Sequence, residues 1–265
     1  MIEINVNMVA FTVGPVVVGW YGIMVALAVI TVVTWGLFAV KKDRRLSSDL
    51  VINAALVGIP SGIIFSRLLH VIDLWDYYIH NPGKIIGGEG LSIWGAVLGA
   101  AIGIWLYSRI SKKFSFGHLA DVIAPGIILA QAIGRVGCTL NGCCYGKTTS
   151  VPWAIIYTNP STHGPVGIPV HPTQVYEIIY NLIVFGVLLL LRKRIKPDGA
   201  LFFIYLILYS VWRLGIDFIR DGTPFLFGLH EAQVVSIVVL AVAVPLLVIR
   251  MRHVKEEITE ETYIE

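Results

Sequence analysis

Charge is scarce in this sequence. Charged residues make up 14% of its 265 positions, against roughly 25% in an average soluble domain. With 56% hydrophobic residues and a mean hydropathy of +0.78, the chain cannot clothe itself in a water-facing surface. A polytopic membrane protein is the expected class. Cysteine is also sparse, with only Cys138, Cys143 and Cys144, which excludes a disulfide framework. Their Cys-x4-Cys-Cys spacing, with no histidine pattern nearby, is poor for zinc. Adjacent cysteines rarely bridge without strain, and a thiol oxidase would want a Cys-x-x-Cys pair. Small buried residues are the expected role. The start of the chain lacks a basic region and an alanine-type cleavage site, so no cleavable signal peptide is expected. No internal repeat is visible, which weighs against an inverted-repeat transporter. No metal, cofactor or nucleic-acid partner is expected.

What is present is a series of apolar runs of the length a bilayer requires. They read as seven spans: Val16 to Val40, Leu50 to Ile72, Leu91 to Tyr107, His118 to Cys138, Thr173 to Leu191, Ala200 to Ile219, and Ala232 to Ile249. The expected fold is all-α, a transmembrane helix bundle over residues 1–249. Its outer loops cover 73–90 and 141–172, and a charged, soluble or disordered tail covers 250–265. Fourteen of the twenty Lys and Arg residues collect at alternating span ends, in the groups 41–45, 109–113, 192–196 and 250–255. The positive-inside rule puts those ends in the cytoplasm, with the N-terminus outside. Gly95, Gly99 and Gly103 have the small-xxx-small spacing of close helix packing.

Six basic residues fall on the opposite side: Arg67, Lys84, Arg135, Lys147, Arg213 and Arg220. Arginine in or at the edge of hydrocarbon is costly and usually functional. Its fork suits bidentate contact with phosphate. Arg67, Arg135 and Arg213 sit on three different spans, so a bundle whose outer mouth gathers them would bind a phospholipid headgroup. Glu177 lies inside the fifth span on one face with Gln174; it is either functional or a structural partner for Arg135 or Arg213. Pro172 suits the first turn of that helix, and His171 at its mouth is a base, a headgroup donor or a cap. Arg213 and Asp217 are four apart on one helix face, as an internal ion pair or an orienting pair. Trp20-Tyr21-Gly22 reads on composition as interfacial belt.

Together these segments resemble a known family. Gly134-Arg135-x-Gly137-x-x-x-Asn141-Gly142-x-x-Tyr145-Gly146 is similar to the signature of the bacterial prolipoprotein diacylglyceryl transferases. So are Trp20-Tyr21-Gly22, His171-Pro172-Thr173-Gln174-Val175-Tyr176-Glu177, and Arg213 with Asp217, Phe218 and Arg220. The resemblance implies a multi-pass protein of the bacterial cytoplasmic (inner) membrane. Its activity would be transfer of a diacylglyceryl group from phosphatidylglycerol to the lipobox cysteine of a preprolipoprotein. A thioether forms and glycerol phosphate leaves. Arg135 would bind the lipid phosphate and Arg213 would be the second essential arginine. Tyr21 and Asn141 match further positions on which the family relies. Gly142, Gln174, Glu177, Asp217 and Arg67 complete the expected substrate site, and His171 the catalytic set.

The sequence departs from the family pattern at four places. Trp94 stands where many members carry a histidine, Cys138 where Asn is usual, Cys143 where Glu is usual, and Asp217 where Glu is commoner. Either the base is another group, with His171 and Tyr21 as candidates, or thiol deprotonation is not limited by a side chain. A paralogue with another donor or acceptor, and a non-catalytic phospholipid-binding or transport bundle, are the competing readings.

Overall fold

A computed structural model describes residues 1–87 and 90–264, with side chains as far as Arg252. Nine helices are present among them: α1 (Trp20–Val40), α2 (Ser48–Asp73), α3 (Trp75–His80), α4 (Lys84–Gly87), α5 (Ile93–Ser111), α6 (Phe116–Asn141), α7 (Thr173–Leu191), α8 (Ala200–Ile216) and α9 (Glu231–Ile264). Six of them, α1, α2, α5, α6, α7 and the Glu231–Arg252 part of α9, are long and apolar enough to cross a membrane. The chain is therefore a polytopic helical membrane protein. The 17-residue α8 is apolar but shorter.

An all-helical chain is not what forms. Five short strands are present: β1 (Ile2–Ile4), β2 (Val9–Val13), β3 (Val16–Gly19), β4 (Ile155–Tyr157) and β5 (Pro169–Val170). The run from Val16 reads as the start of the first span. Its first four residues instead pair as β3 with β2, and the helix begins only at Trp20. Valine triplets suit a pleated ribbon as well as a helix, and a two-residue turn at Gly14 (φ +58°) closes the hairpin. The weakly polar start of the chain is likewise structured, with β1 parallel to β4 and β4 antiparallel to β5. The expected outer loop 141–172 thus carries part of a small sheet with its own core of Ile155, Tyr157 and Val170. At the other end, α9 continues to Ile264, past the expected close of the seventh span.

The chain divides into two compact units, Gly36–Leu119 and Met1–Trp35 with Ala120–Glu265. In the first, α2 and α5 pack through the glycine stripe. A Cβ added at Gly95 would lie 2.4 Å from the Phe65 carbonyl oxygen, one at Gly99 2.6 Å from that of Ser61, and one at Gly103 2.5 Å from Ser61 Oγ. The helix backbones touch because nothing stands between them, which is how association proceeds where lipid removes the hydrophobic drive. Ser66 fixes the entry to α5, its hydroxyl donating to the Ser92 carbonyl at 2.7 Å.

In the second unit α6, α7 and α8 share a core of Ala124, Ile128, Val184, Leu188, Leu201 and Tyr205. Asp121 of α6 accepts from the backbone N–H groups of Gly199 (2.6 Å) and Phe202 (2.8 Å). It thereby satisfies donors that the start of α8 would leave orphaned. Tyr180 stacks on Trp212 at 4.3 Å and donates its hydroxyl to the Leu208 carbonyl, locking α7 to α8. These contacts fix α6, α7 and α8 at the level where their charged residues lie.

Replacing Gly99 by valine drives new atoms into backbone that cannot yield. A loss of about 1–3 kcal/mol or more is expected, read as a lower thermal-unfolding midpoint in detergent. Gly186→Ala, on α7 with nothing within 4 Å of the added carbon, does not lower the midpoint and gains the better helix propensity of alanine.

Candidate anion site

Glu177 is the hinge of a buried charge network. It occupies the second turn of α7 and is 2% exposed. Its Oε1 lies 2.8 Å from Arg135 Nη2 on α6, and its Oε2 lies 3.7 Å from Arg213 Nη1 on α8. Tyr209, one turn before Arg213, donates its hydroxyl to Oε1 at 3.3 Å. Arg213 Nη2 reaches both oxygens of Asp217 at 3.1 and 3.2 Å, and Arg220 Nη1 lies 3.7 Å from Asp217 Oδ1. Three guanidiniums therefore share two carboxylates, and the ionised cluster carries an excess positive charge. Arg213 Nη1 is buried without a hydrogen bond, its 3.7 Å approach to Glu177 being too long for one. An unsatisfied cationic donor in a net positive cluster has the chemistry to accept an anion.

Beside it, the chain leaves α6 through a tight loop. Gly142 and Cys144 both take left-handed backbone, at φ +70° and +63°. A Cβ on Gly142 would also lie 1.9 Å from Thr162 Oγ1, so only glycine fits. Cys144 bears the strain of a non-glycine residue there, and the first turn of α7 restrains it. Thr173 Oγ1 donates to the Cys144 carbonyl and Gln174 Nε2 to the Cys143 carbonyl, each at 2.7 Å. Gly146 then passes so close to His171, Ile219 and Thr173 that any side chain would clash. Cys138 Sγ sits 3.8 Å from Arg135 Nη1. Hydrogen bonds from the other two thiols, with Arg135 and Arg220 nearby, hold the Cys144 thiol below its ordinary range. Burial pushes the Tyr157 phenol up.

The expected site residues separate accordingly. Arg135, Glu177, Arg213 and Asp217 meet in one network. Tyr21, in the first turn of α1, lies within electrostatic reach of the three thiols and Arg135; α1 approaches α6 where Gly137 leaves room for Met24 and the Tyr21 backbone. Asn141, Gly142 and Gln174 shape the loop. His171 faces Tyr176 instead, with Nδ1 3.3 Å from its hydroxyl. No bond among the described residues ties it to the arginine network. Arg67 belongs to the other unit. There its guanidinium binds the carbonyls of Lys84, Ile85 and Gly90 and lies over the Tyr78 ring. The sequence does not single out Tyr209, and it marks Arg220 as an outer basic residue of the motif without placing it in the site. Their signal is helical spacing, Tyr209 four residues before Arg213 and Arg220 three after Asp217.

Helical spans and a buried, partly unsatisfied arginine cluster mark a multi-pass membrane protein with a charged site inside its own fold. The prolipoprotein diacylglyceryl transferase family model matches residues 8–249, and the chain belongs to that family. It is 52% identical to the phosphatidylglycerol–prolipoprotein diacylglyceryl transferase of Dehalococcoides mccartyi (strain BAV1), over 97% of this chain and 98% of the relative. The proteins of the same name from Corynebacterium diphtheriae and Clostridioides difficile are 39% and 37% identical, over 87% of this chain and 88% and 90% of their own lengths.

Glu177→Gln removes the one carboxylate shared by Arg135 and Arg213 and leaves two buried cations facing each other. A destabilisation of about 3–5 kcal/mol is expected, measured as a fall in the detergent unfolding midpoint, with Tyr209→Phe costing far less.

Proposed function

We propose that this protein transfers the diacylglyceryl group of phosphatidylglycerol to the lipobox cysteine thiol of preprolipoproteins, forming a thioether and releasing glycerol phosphate. The observation that carries the reading is the buried Arg213 Nη1, without a hydrogen bond in a cluster where cations outnumber anions. Membership of the family and the names of the relatives support it.

In this reading the lipid phosphodiester takes the unfilled donor of Arg213 and the free edge of Arg135. Glu177 and Asp217 hold the two forks in place so that little reorganisation is needed when charge develops. The acceptor sulfur forms a bond to the terminal glyceryl carbon. The bond from that carbon to phosphate oxygen breaks, and its electron pair leaves on the phosphate. Two guanidiniums close to that oxygen lower the barrier. The thiol needs only modest help to ionise. Tyr21, beside the thiol loop, is better placed than His171 to take part. Asn141, Gly142 and Gln174 keep the loop in shape beneath the substrate. Arg67 holds α4 and Gly90 rather than the phosphate.

The reading carries the topology with it: α8 as a seventh span, the N-terminus outside and the C-terminus inside the bacterial cytoplasmic membrane. The catalytic domain covers 1–249 and the charged tail 250–265. The grouping of Lys and Arg at alternate helix ends supports that orientation.

Arg135→Ala and Arg213→Ala should each lower transfer to a lipobox peptide by a factor of about 10²–10³ or more. The assay is mass spectrometry of the peptide after incubation with purified protein and phosphatidylglycerol. Lysine at either position should not restore the rate, since it lacks the planar fork. Full activity in both alanine variants would refute the proposal. Bound lipid without glycerol phosphate release would indicate a binding protein instead.

A further inference from the structure

The three thiols are the reactive groups that the arginine network leaves unused. The Sγ atoms of Cys138, Cys143 and Cys144 all lie within 4.8 Å of one another, with Cys138 buried and the other two part-exposed. Spacing along the chain argues against zinc, but the left-handed pair at Gly142 and Cys144 coils the loop back over the last turn of α6 and cancels that objection. A sulfur triangle with edges of that length has its corners about 2.8 Å from its centre; inward shifts of about 0.5 Å reach the zinc–thiolate distance of ~2.3 Å. The carbonyls of Cys143 and Cys144 are tied to Gln174 and Thr173, so the loop is braced where two ligands would sit.

Charge agrees with this. Three thiolates around a divalent cation leave one net negative charge, and Arg135 stands 3.8 Å from Cys138 Sγ with Arg220 close to Cys144. Thiolates select soft and borderline cations. Three protein ligands and one open position is the pattern of a catalytic zinc site rather than a structural one. Among the described residues no fourth His, Cys, Asp or Glu completes the group.

We propose that Cys138, Cys143 and Cys144 form a three-thiolate site for a zinc-class cation, whose open fourth position takes the acceptor thiol of the transfer reaction. The second clause rests on the function proposed above. The three cysteines release their protons on binding the cation. The acceptor thiol passes its proton to solvent water on becoming the fourth ligand, because a coordinated thiol is held deprotonated. Its sulfur then bonds to the glyceryl carbon as the carbon–oxygen bond to phosphate breaks, and the electron pair leaves with the phosphate. The neutral thioether is a weaker ligand and dissociates. Nothing is oxidised or reduced.

The test is a titration of the full-length, reduced, metal-stripped protein in detergent with Co(II) alone. One ion per chain and a sulfur-to-cobalt charge-transfer band are expected, with Zn(II) displacing the cobalt. Cys143→Ser and Cys144→Ser should each weaken binding by more than the roughly tenfold cost of losing an outer-shell partner. Zn(II) should raise the unfolding midpoint of the native protein but not of the double variant. A lipobox peptide should then intensify the band by about a third, as three sulfur ligands become four, and its Cys→Ser counterpart should not. No band, or equal binding by the double variant, overturns the metal site; a band that the cysteine peptide leaves unchanged overturns the acceptor role. None of these readouts needs lipid or turnover. A protein that transfers lipid but binds no cobalt would leave the transferase reading standing, and one that binds cobalt without transferring would do the reverse.

Discussion

Glu177 between Arg135 and Arg213 is the interaction on which the site depends. Two buried guanidiniums on different helices repel each other, and hydrocarbon around them removes the water that would screen the repulsion. One carboxylate on the helix between them reverses the sign of that interaction. It is not enough for full neutrality, because Asp217 is shared between Arg213 and Arg220. The remaining positive charge is what the proposed phosphate site draws on.

The backbone around the network is arranged to keep it rigid. The start of α7 does two things within five residues. Thr173 and Gln174 hold the carbonyls of the strained loop after α6, and Glu177 holds the arginines. A rotation of α7 would disturb both at once, so loop and charge cluster share one support. The same economy explains Gly142 and Gly146, where a side chain would occupy space already filled by Thr162 or by His171 and Ile219.

Much of this was legible in the sequence, for identifiable reasons. Apolar runs of bilayer length located the helices, and the fifth span was placed from Thr173 to Leu191, as found. The glycine stripe on α5 was readable because a period of four marks one helix face. Arg135, Glu177, Arg213 and Asp217 stood out because charge in hydrocarbon needs a partner. Other features were hidden. Val16 to Gly19 continues an apolar run, and only pairing with Val9–Val13 makes it a strand. Arg67 resembled the other outer arginines, yet its donors satisfy carbonyls of α4 and of Gly90. The gathering of the three thiols was hidden because linear spacing says nothing of a loop that folds back through left-handed residues.

A structure determined with phosphatidylglycerol bound tests the central claim most directly. The account predicts a phosphate oxygen about 2.7–2.9 Å from Arg213 Nη1, the range of charge-assisted hydrogen bonds, with Arg135 engaging the same phosphate and Glu177 still between the two arginines. A headgroup phosphate bound elsewhere, with Arg213 Nη1 still lacking a partner, would contradict it.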